Sequence, residues 1–164
     1  TTGWLSKLNE VQAKCVDNNQ ALFYASNYSI GVNLFFKLNE YLAGLMNTYP
    51  EYDVTMEEIH HVHKLDAPSG TAISLAHQVI EKIDRKEKWI NAATDNKNEL
   101  SIISKRINEV PGTHTITYSS AVDEISITHI AHNRKGFALG AVIAAEWIVG
   151  KKGVYGMNDL MSFK

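Results

Sequence analysis

The sequence predicts an α+β domain: a mixed or antiparallel sheet of about four strands, with helices mainly on one face. Three observations lead there. Apolar residues recur at helical spacing in several separated segments. Strand candidates at 101–107, 114–120 and 124–131 follow one another without intervening helices. The last of these alternates, and Val122-Asp123-Glu124 before it is a tight-turn sequence, so the final pair reads as an antiparallel hairpin with one packed face.

The elements follow in order. Residues 5–18 carry an irregular helical face of Leu5, Leu8, Val11, Cys15 and Val16, with Ser6 as its candidate cap. Ala21 to Ala25 is a short apolar run suited to a buried strand. One helix and one strand make half of an α/β unit, so residues 1–26 sit outside the main plan. After the polar break at Asn27 to Gly31, residues 30–46 form a long amphipathic helix through Val32, Phe35, Phe36, Leu38, Leu42, Leu45 and Met46. Tyr49-Pro50-Glu51 ends it. Asp53 to Ile59 reads as a strand and His60 to Pro68 as a polar loop. Ser69 or Thr71 caps a helix running through Ile73, Leu75, Ala76, Val79, Ile80 and Ile83. Residues 84–99, rich in Lys, Asn, Asp and Glu, read as a solvated connection. Phe137 to Val149 reads as a buried helix closed by Gly150, with Lys151 and Lys152 at its negative end. Gly153 to Gly156 reads as a turn, and Met157 to Met161 as one last helical turn.

Composition narrows the function classes. With 45% hydrophobic and 21% charged residues, the chain is neither disordered nor of low complexity. A net charge of -2 gives no general attraction to nucleic acid. The most apolar segment is about 13 residues long and carries Glu146, short of the about 20 that a membrane span needs. A single cysteine, Cys15, excludes an internal disulfide framework and a multi-cysteine zinc site.

The densest polar constellation runs from Glu58 to Thr71. His60, His61 and His63, Lys64, and the carboxylates Glu58 and Asp66 lie beside a helix start. Histidine exchanges protons near neutral pH. An ammonium meets developing negative charge. Ser69-Gly70-Thr71 can turn backbone N–H groups toward a carboxylate or phosphate. On composition alone a polar loop without chemistry stands level with a real site. A metal site is the weaker reading, because a strand sends neighbouring side chains to opposite faces and no His-Glu-x-x-His helix is present. Neither a Gly-rich dinucleotide loop nor a phosphate loop of the nucleotide hydrolases occurs.

The run Glu58-Ile59-His60-His61-Val62-His63-Lys64-Leu65-Asp66-Ala67-Pro68-Ser69-Gly70-Thr71-Ala72 resembles the signature of the dihydrodipicolinate (4-hydroxy-tetrahydrodipicolinate) reductase family. Thr1-Thr2-Gly3-Trp4, Asn27 to Asn33, Val110 to Thr113, Ile127-Thr128-His129 leading to Arg134, and Gly153 to Met161 agree with it in order. The resemblance implies reduction of a cyclic unsaturated dicarboxylate by NADH or NADPH in the diaminopimelate and lysine pathway, with no metal. It implies His60 as general acid and Lys64 as the substrate-binding and catalytic lysine. It implies His61, Ser69, Gly70 and Thr71 as substrate contacts. It implies Thr1, Thr2, Gly3, Asn27, Tyr28, Ser29, Arg134 and Phe137 as cofactor contacts. A cytoplasmic homotetramer, without nucleic-acid or membrane partners, is implied as well.

Family members begin with a doubly wound nucleotide-binding domain. Here residues 1–26 match its end, 27–155 the substrate-binding and oligomerisation domain, and 156–164 a tail that packs back on the first domain. With no initiator Met and an interior-like Thr1-Thr2-Gly3-Trp4, the chain is read as a truncated piece, expected to lack dehydrogenase activity alone. The alternative is an isolated dicarboxylate-binding and tetramerisation module. One departure stands out: many members carry an Arg- and Gly-rich loop after Pro-Gly-Thr, with R-x-G and G-x-H elements, whereas Pro111-Gly112-Thr113 runs almost directly into His114.

Overall fold

Period-two alternation at the centre of the chain becomes a mixed five-stranded sheet in the computed structural model, which describes residues 3–163. The chain divides into two compact units. One joins residues up to Ile30 with those from Lys135 onward, and the other is the continuous stretch Gly31–Arg134. This grouping by proximity puts the helix after Arg134 with the first residues, whereas the sequence reading draws its boundaries after 26 and 155.

The continuous unit holds nearly all of α2 (Ile30–Met46), β2 (Asp53–His60), α3 (Gly70–Lys82), β3 (Lys88–Ile90), β4 (Glu99–Arg106), β5 (Thr113–Ser119) and β6 (Glu124–Ile130). The strand order is β3-β4-β2-β5-β6. β4 lies parallel to β2 and β3; α3 carries the crossover out of β2, and residues 91–98 return the chain from β3 to β4. β5 is antiparallel to both β2 and β6, as a hairpin demands. One sheet face carries Val54 and Met56 of β2, Leu100 and Ile102 of β4, and Ile116 and Tyr118 of β5, all buried. Ala72, Leu75, Ala76 and Val79 of α3 and Phe35, Ala43 and Met46 of α2 complete that core. The two helices are joined by buried Asn39, whose Nδ2 donates to Leu75 O at 3.1 Å and Gln78 Oε1 at 3.0 Å.

The other sheet face is polar. Thr115 meets Thr128 at 3.1 Å and Thr117 meets Ser126 at 2.9 Å across β5 and β6. These hydroxyl pairs satisfy one another and leave an open groove of about 450 Å³ over Thr55, Glu57, Ile103, Thr115 and Thr117.

The fold class stands as expected, with two corrections in this unit. The sheet has five strands rather than about four, because β3 lies inside the segment read as a solvated connection. That segment also contains Lys86, whose side chain is 1% exposed. Its ammonium is buried at little cost because it donates to Asp53 Oδ1 and to Glu99 O, each at 2.8 Å.

The other unit contains a 3-10 turn (Leu5–Lys7), α1 (Leu8–Asp17), β1 (Ala21–Phe23), α4 (Lys135–Trp147), β7 (Gly153–Tyr155) and α5 (Met157–Leu160). Ser6 caps nothing; the turn starts one residue earlier without a side-chain cap. Gly153 to Gly156 is not simply a turn: β7 pairs in parallel with β1, Leu22 opposite Val154. α4 is not buried as expected. Only Gly140 and Ala144 are fully buried and Ile143 and Trp147 partly so, while Leu139 and Val142 are exposed. The helix docks through its glycine instead. A Cβ on Gly140 would stand 1.8 Å from Tyr28 O, so no side chain fits between helix and backbone. Trp147 packs edge-on to Phe23 and Tyr155. Among the described residues no helix is long and apolar enough to cross a membrane.

Candidate active site

Strand alternation builds the site. Val54, Met56, Glu58 and His60 all point to the packed face of β2, because they are two residues apart. In β5, Tyr118 lies opposite Val54, Ile116 opposite Met56 and His114 opposite Glu58. The packed face is therefore apolar for two rows and then turns polar. On the other side, β4 places Ser104 beside Glu58 and Arg106 beside His60. Glu58, His60 and His114 are all buried at this end of the sheet.

The polar row is closely paired. Arg106 Nη1 donates to Glu58 Oε1 at 2.9 Å, and His60 Nδ1 hydrogen-bonds the other carboxylate oxygen. Burial pushes the Glu58 carboxyl up, but its interactions with His60, Ser104 and Arg106 outweigh this and hold it down to about 2. Glu58 is thus a carboxylate at neutral pH. The His114 ring lies edge-on to His60 at 5.1 Å. Burial first, and the neighbouring His60 charge second, bring His114 down to about 4, so it is neutral. Its Nε2 is 3.1 Å from Ser69 Oγ, which also accepts the Ala72 amide at 3.2 Å as the cap of α3. The capping expected at Ser69 is thereby observed, and it links the helix start to the histidine pair.

The loop leaving β2 is fastened by the same arginine. Arg106 Nη2 donates to Asp66 O at 2.6 Å. Lys64 Nζ donates to both Asp66 oxygens, at 2.6 and 2.8 Å. His61, one residue after His60, points elsewhere: Arg134 Nη2 donates to its Nε2 at 2.9 Å. Desolvation and then the Arg134 charge lower the His61 pKa. His63 faces Glu109 on the surface at 3.1 Å. Gly70, the first residue of α3, has nothing within 4 Å of where a Cβ would be, so the helix start is open.

The structure therefore brings His60 and Ser69 together through His114, and ties Lys64 to them through Arg106. Arg134 lies with His61. Gly3, Asn27, Tyr28, Ser29 and Phe137 belong to the other unit, where Asn27 Oδ1 accepts the Ser29 amide at 2.9 Å. Thr1 and Thr2 lie outside the described residues.

Four participants were missed in the sequence: Glu58 as a partner of His60, Arg106, His114 and Gly112. A Cβ on Gly112 would come within 3.0 Å of His60 Nε2 and 3.9 Å of His114 Cε1. The signal for two of them was present, since Gly112-Thr113-His114 is itself a G-x-H sequence. Arg106 had no local signal, because only strand pairing sets it beside His60. Glu58, His60 and His114 also bring one ligand-type atom each within 4.8 Å of one another. The positive charge next to that carboxylate is already supplied by Arg106.

The chain is similar to known proteins over nearly its whole length. The family model described as dihydrodipicolinate reductase, C-terminus, matches residues 31–161. A 4-hydroxy-tetrahydrodipicolinate reductase of Christiangramia forsetii is 49% identical over 162 residues, covering 99% of this chain and 67% of that protein. The same-named protein of Methanoregula boonei is 35% identical, covering 100% of this chain and 64% of its own length. The dipicolinate-bound dihydrodipicolinate reductase of Paenisporosarcina sp. TG-14 superposes with a TM-score of 0.70 at 25% identity, over 94% of this chain and 60% of that one. The chain thus spans about two thirds of the length of these relatives.

Proposed function

The chain belongs to the dihydrodipicolinate reductase family, and on that premise we propose that it is the substrate-binding part of an enzyme that reduces 4-hydroxy-tetrahydrodipicolinate to tetrahydrodipicolinate with NADH or NADPH. The observation that carries this reading is the buried Arg106–Glu58–His60 row ending beside His114 and the Ser69 cap. It sets a proton donor next to a helix start, which is what a ring dicarboxylate undergoing reduction needs.

The reduced nicotinamide nucleotide supplies the hydride when bound. The 4-hydroxyl leaves as water, giving the conjugated ring that takes the hydride, and His60 delivers the balancing proton from Nε2. Lys64 exchanges Asp66 for a substrate carboxylate and meets the negative charge that builds on the ring. Ser69, Gly70 and Thr71 hold a carboxylate at the first turn of α3, where Gly70 leaves the backbone approachable. His61, held by Arg134, is proposed as a further substrate contact.

Gly3, Asn27, Tyr28, Ser29 and Phe137 would hold the nicotinamide end, with Thr1 and Thr2. Of these, Tyr28 lines an open pocket of about 390 Å³ together with Trp4, Phe23 and Tyr24, an aromatic lining that suits a planar heteroaromatic ring. Arg134 is proposed as a further contact of the same nucleotide. A domain boundary near residue 27, a cytoplasmic location and a homotetramer belong to the same proposal. The open hydroxyl-lined face of β5 and β6 supports the further reading that this chain by itself is an assembly module.

The test is binding before turnover. Dipicolinate titrated into the 15N-labelled chain should shift the amide signals of His60, His61 and Ser69 to Thr71. No shift there at millimolar ligand would overturn the assignment. In the active reductase containing this sequence, H60Q should lower turnover by roughly 10²-fold or more, with little change in melting temperature.

A further inference from the structure

The buried carboxylate of Glu58 faces two groups at once. Arg106 Nη1 donates to Oε1 at 2.9 Å, and His60 Nδ1 meets Oε2. An arginine cannot accept a hydrogen bond, and an ionised carboxylate cannot donate one. With both oxygens acting as acceptors, the histidine nitrogen facing Oε2 must carry its hydrogen. Glu58 is fully buried, so this pairing is not shared with bulk water. On the far side of the ring, Nε2 sits over Gly112, the one residue type that leaves room there.

We infer that Glu58, held by Arg106, is a positioning residue that fixes His60 as the Nδ1–H tautomer and so makes Nε2 the only ring atom that gives up and regains the proton. The inference rests on the proposed role of His60. In that step the Nε2–H bond breaks, and its proton goes to the ring atom that has received electron density from hydride addition. Nδ1–H stays on Glu58, and the neutral ring takes a new proton at Nε2 from solvent. Glu58 touches no reacting atom; it acts through His60.

Glutamine cannot replace Glu58 in this role. Its amide has one acceptor and one donor end, while both neighbours present donors. In E58Q the oxygen would serve Arg106 and the NH2 would face His60, which inverts the tautomer. Replacing Arg106 as well frees the oxygen for His60 and restores it.

The experiment is long-range 1H–15N correlation of the imidazoles in the complete 15N-labelled chain, at a pH where the rings are neutral. Wild type should show His60 with a protonated Nδ1 and an unprotonated Nε2. E58Q should show the reverse, and E58Q/R106M should return to the wild-type pattern. A wild-type His60 protonated at Nε2, or one whose tautomers are mixed, overturns the inference even if no variant folds. An unchanged pattern in a folded E58Q overturns it too. The readout is magnetic rather than catalytic, so it fails independently of the proposed reaction.

Discussion

At the level of single residues, the site is governed by what burial does to charge. Glu58 is ionised in the folded chain down to about 2, against an ordinary value of 4.5. His114 stays neutral down to about 4, against 6.5. Both pKa values are lowered on folding, so in each window the unfolded chain binds more protons and stability falls as the pH falls. The two windows are consecutive. His114 weakens the fold from about 6.5 toward about 4, and Glu58 from about 4.5 toward about 2. Denaturant melts across this range should show a continuous decline, and H114Q should flatten its upper part. A wild-type midpoint that does not move between pH 6.5 and 4 would contradict the buried neutral His114. Gly112 gives a second prediction. Its φ is +155° and an added Cβ would press on His60 Nε2 at 3.0 Å. G112A should therefore cost roughly 1–3 kcal/mol of stability and impair turnover more than melting, because the displaced atom is the one proposed to handle the proton.

Among the elements, those whose pattern is local were the ones readable from the sequence. Helix α2 runs from Ile30 to Met46 as its spacing predicts, and Ser69 caps α3 because its hydroxyl needs only Ala72 three residues on. β3 was not legible, since three residues of a charged segment become a strand only by lying along β4. β7 was hidden in the same way, its partner β1 being remote in the chain. The site divides likewise. His60, Lys64 and Ser69 sit in one contiguous motif, whereas Arg106 and His114 reach it through strand register. α4 shows how a local pattern misleads: its apolar sequence reads as a buried helix, yet its contact is made by Gly140 against Tyr28 O. In isolation Gly140→Ala should favour the helix by about 1 kcal/mol. Here the 1.8 Å approach dominates. G140A should lower the melting temperature and raise amide exchange in α4; an unchanged melt would show that the helix docks otherwise.

For the molecule as a whole, the hydroxyl-lined sheet face bears on assembly. Thr115, Thr117, Ser126 and Thr128 pair within the chain, and Glu57, the one carboxylate beside Thr115 in that row, is paired with Lys105, so a second sheet could approach the row without burying an unpaired ion. Sedimentation across protein concentration should show a species larger than 18.3 kDa; a monomer throughout would count against the assembly reading. T117K/T128K, placing two ammoniums on that face, should shift the chain toward monomer. The pairing of β1 with β7 has a consequence of a different kind, concerning the order in which the structure is made. A ribosome releases β1 before the continuous unit, but its partner emerges only after all of Gly31–Arg134 has been synthesised. The continuous unit can close its sheet while the nascent chain is still growing. Leu22 and its neighbours must wait for this partner until Val154 clears the exit tunnel, so a strand made before the continuous unit completes this pairing only after it.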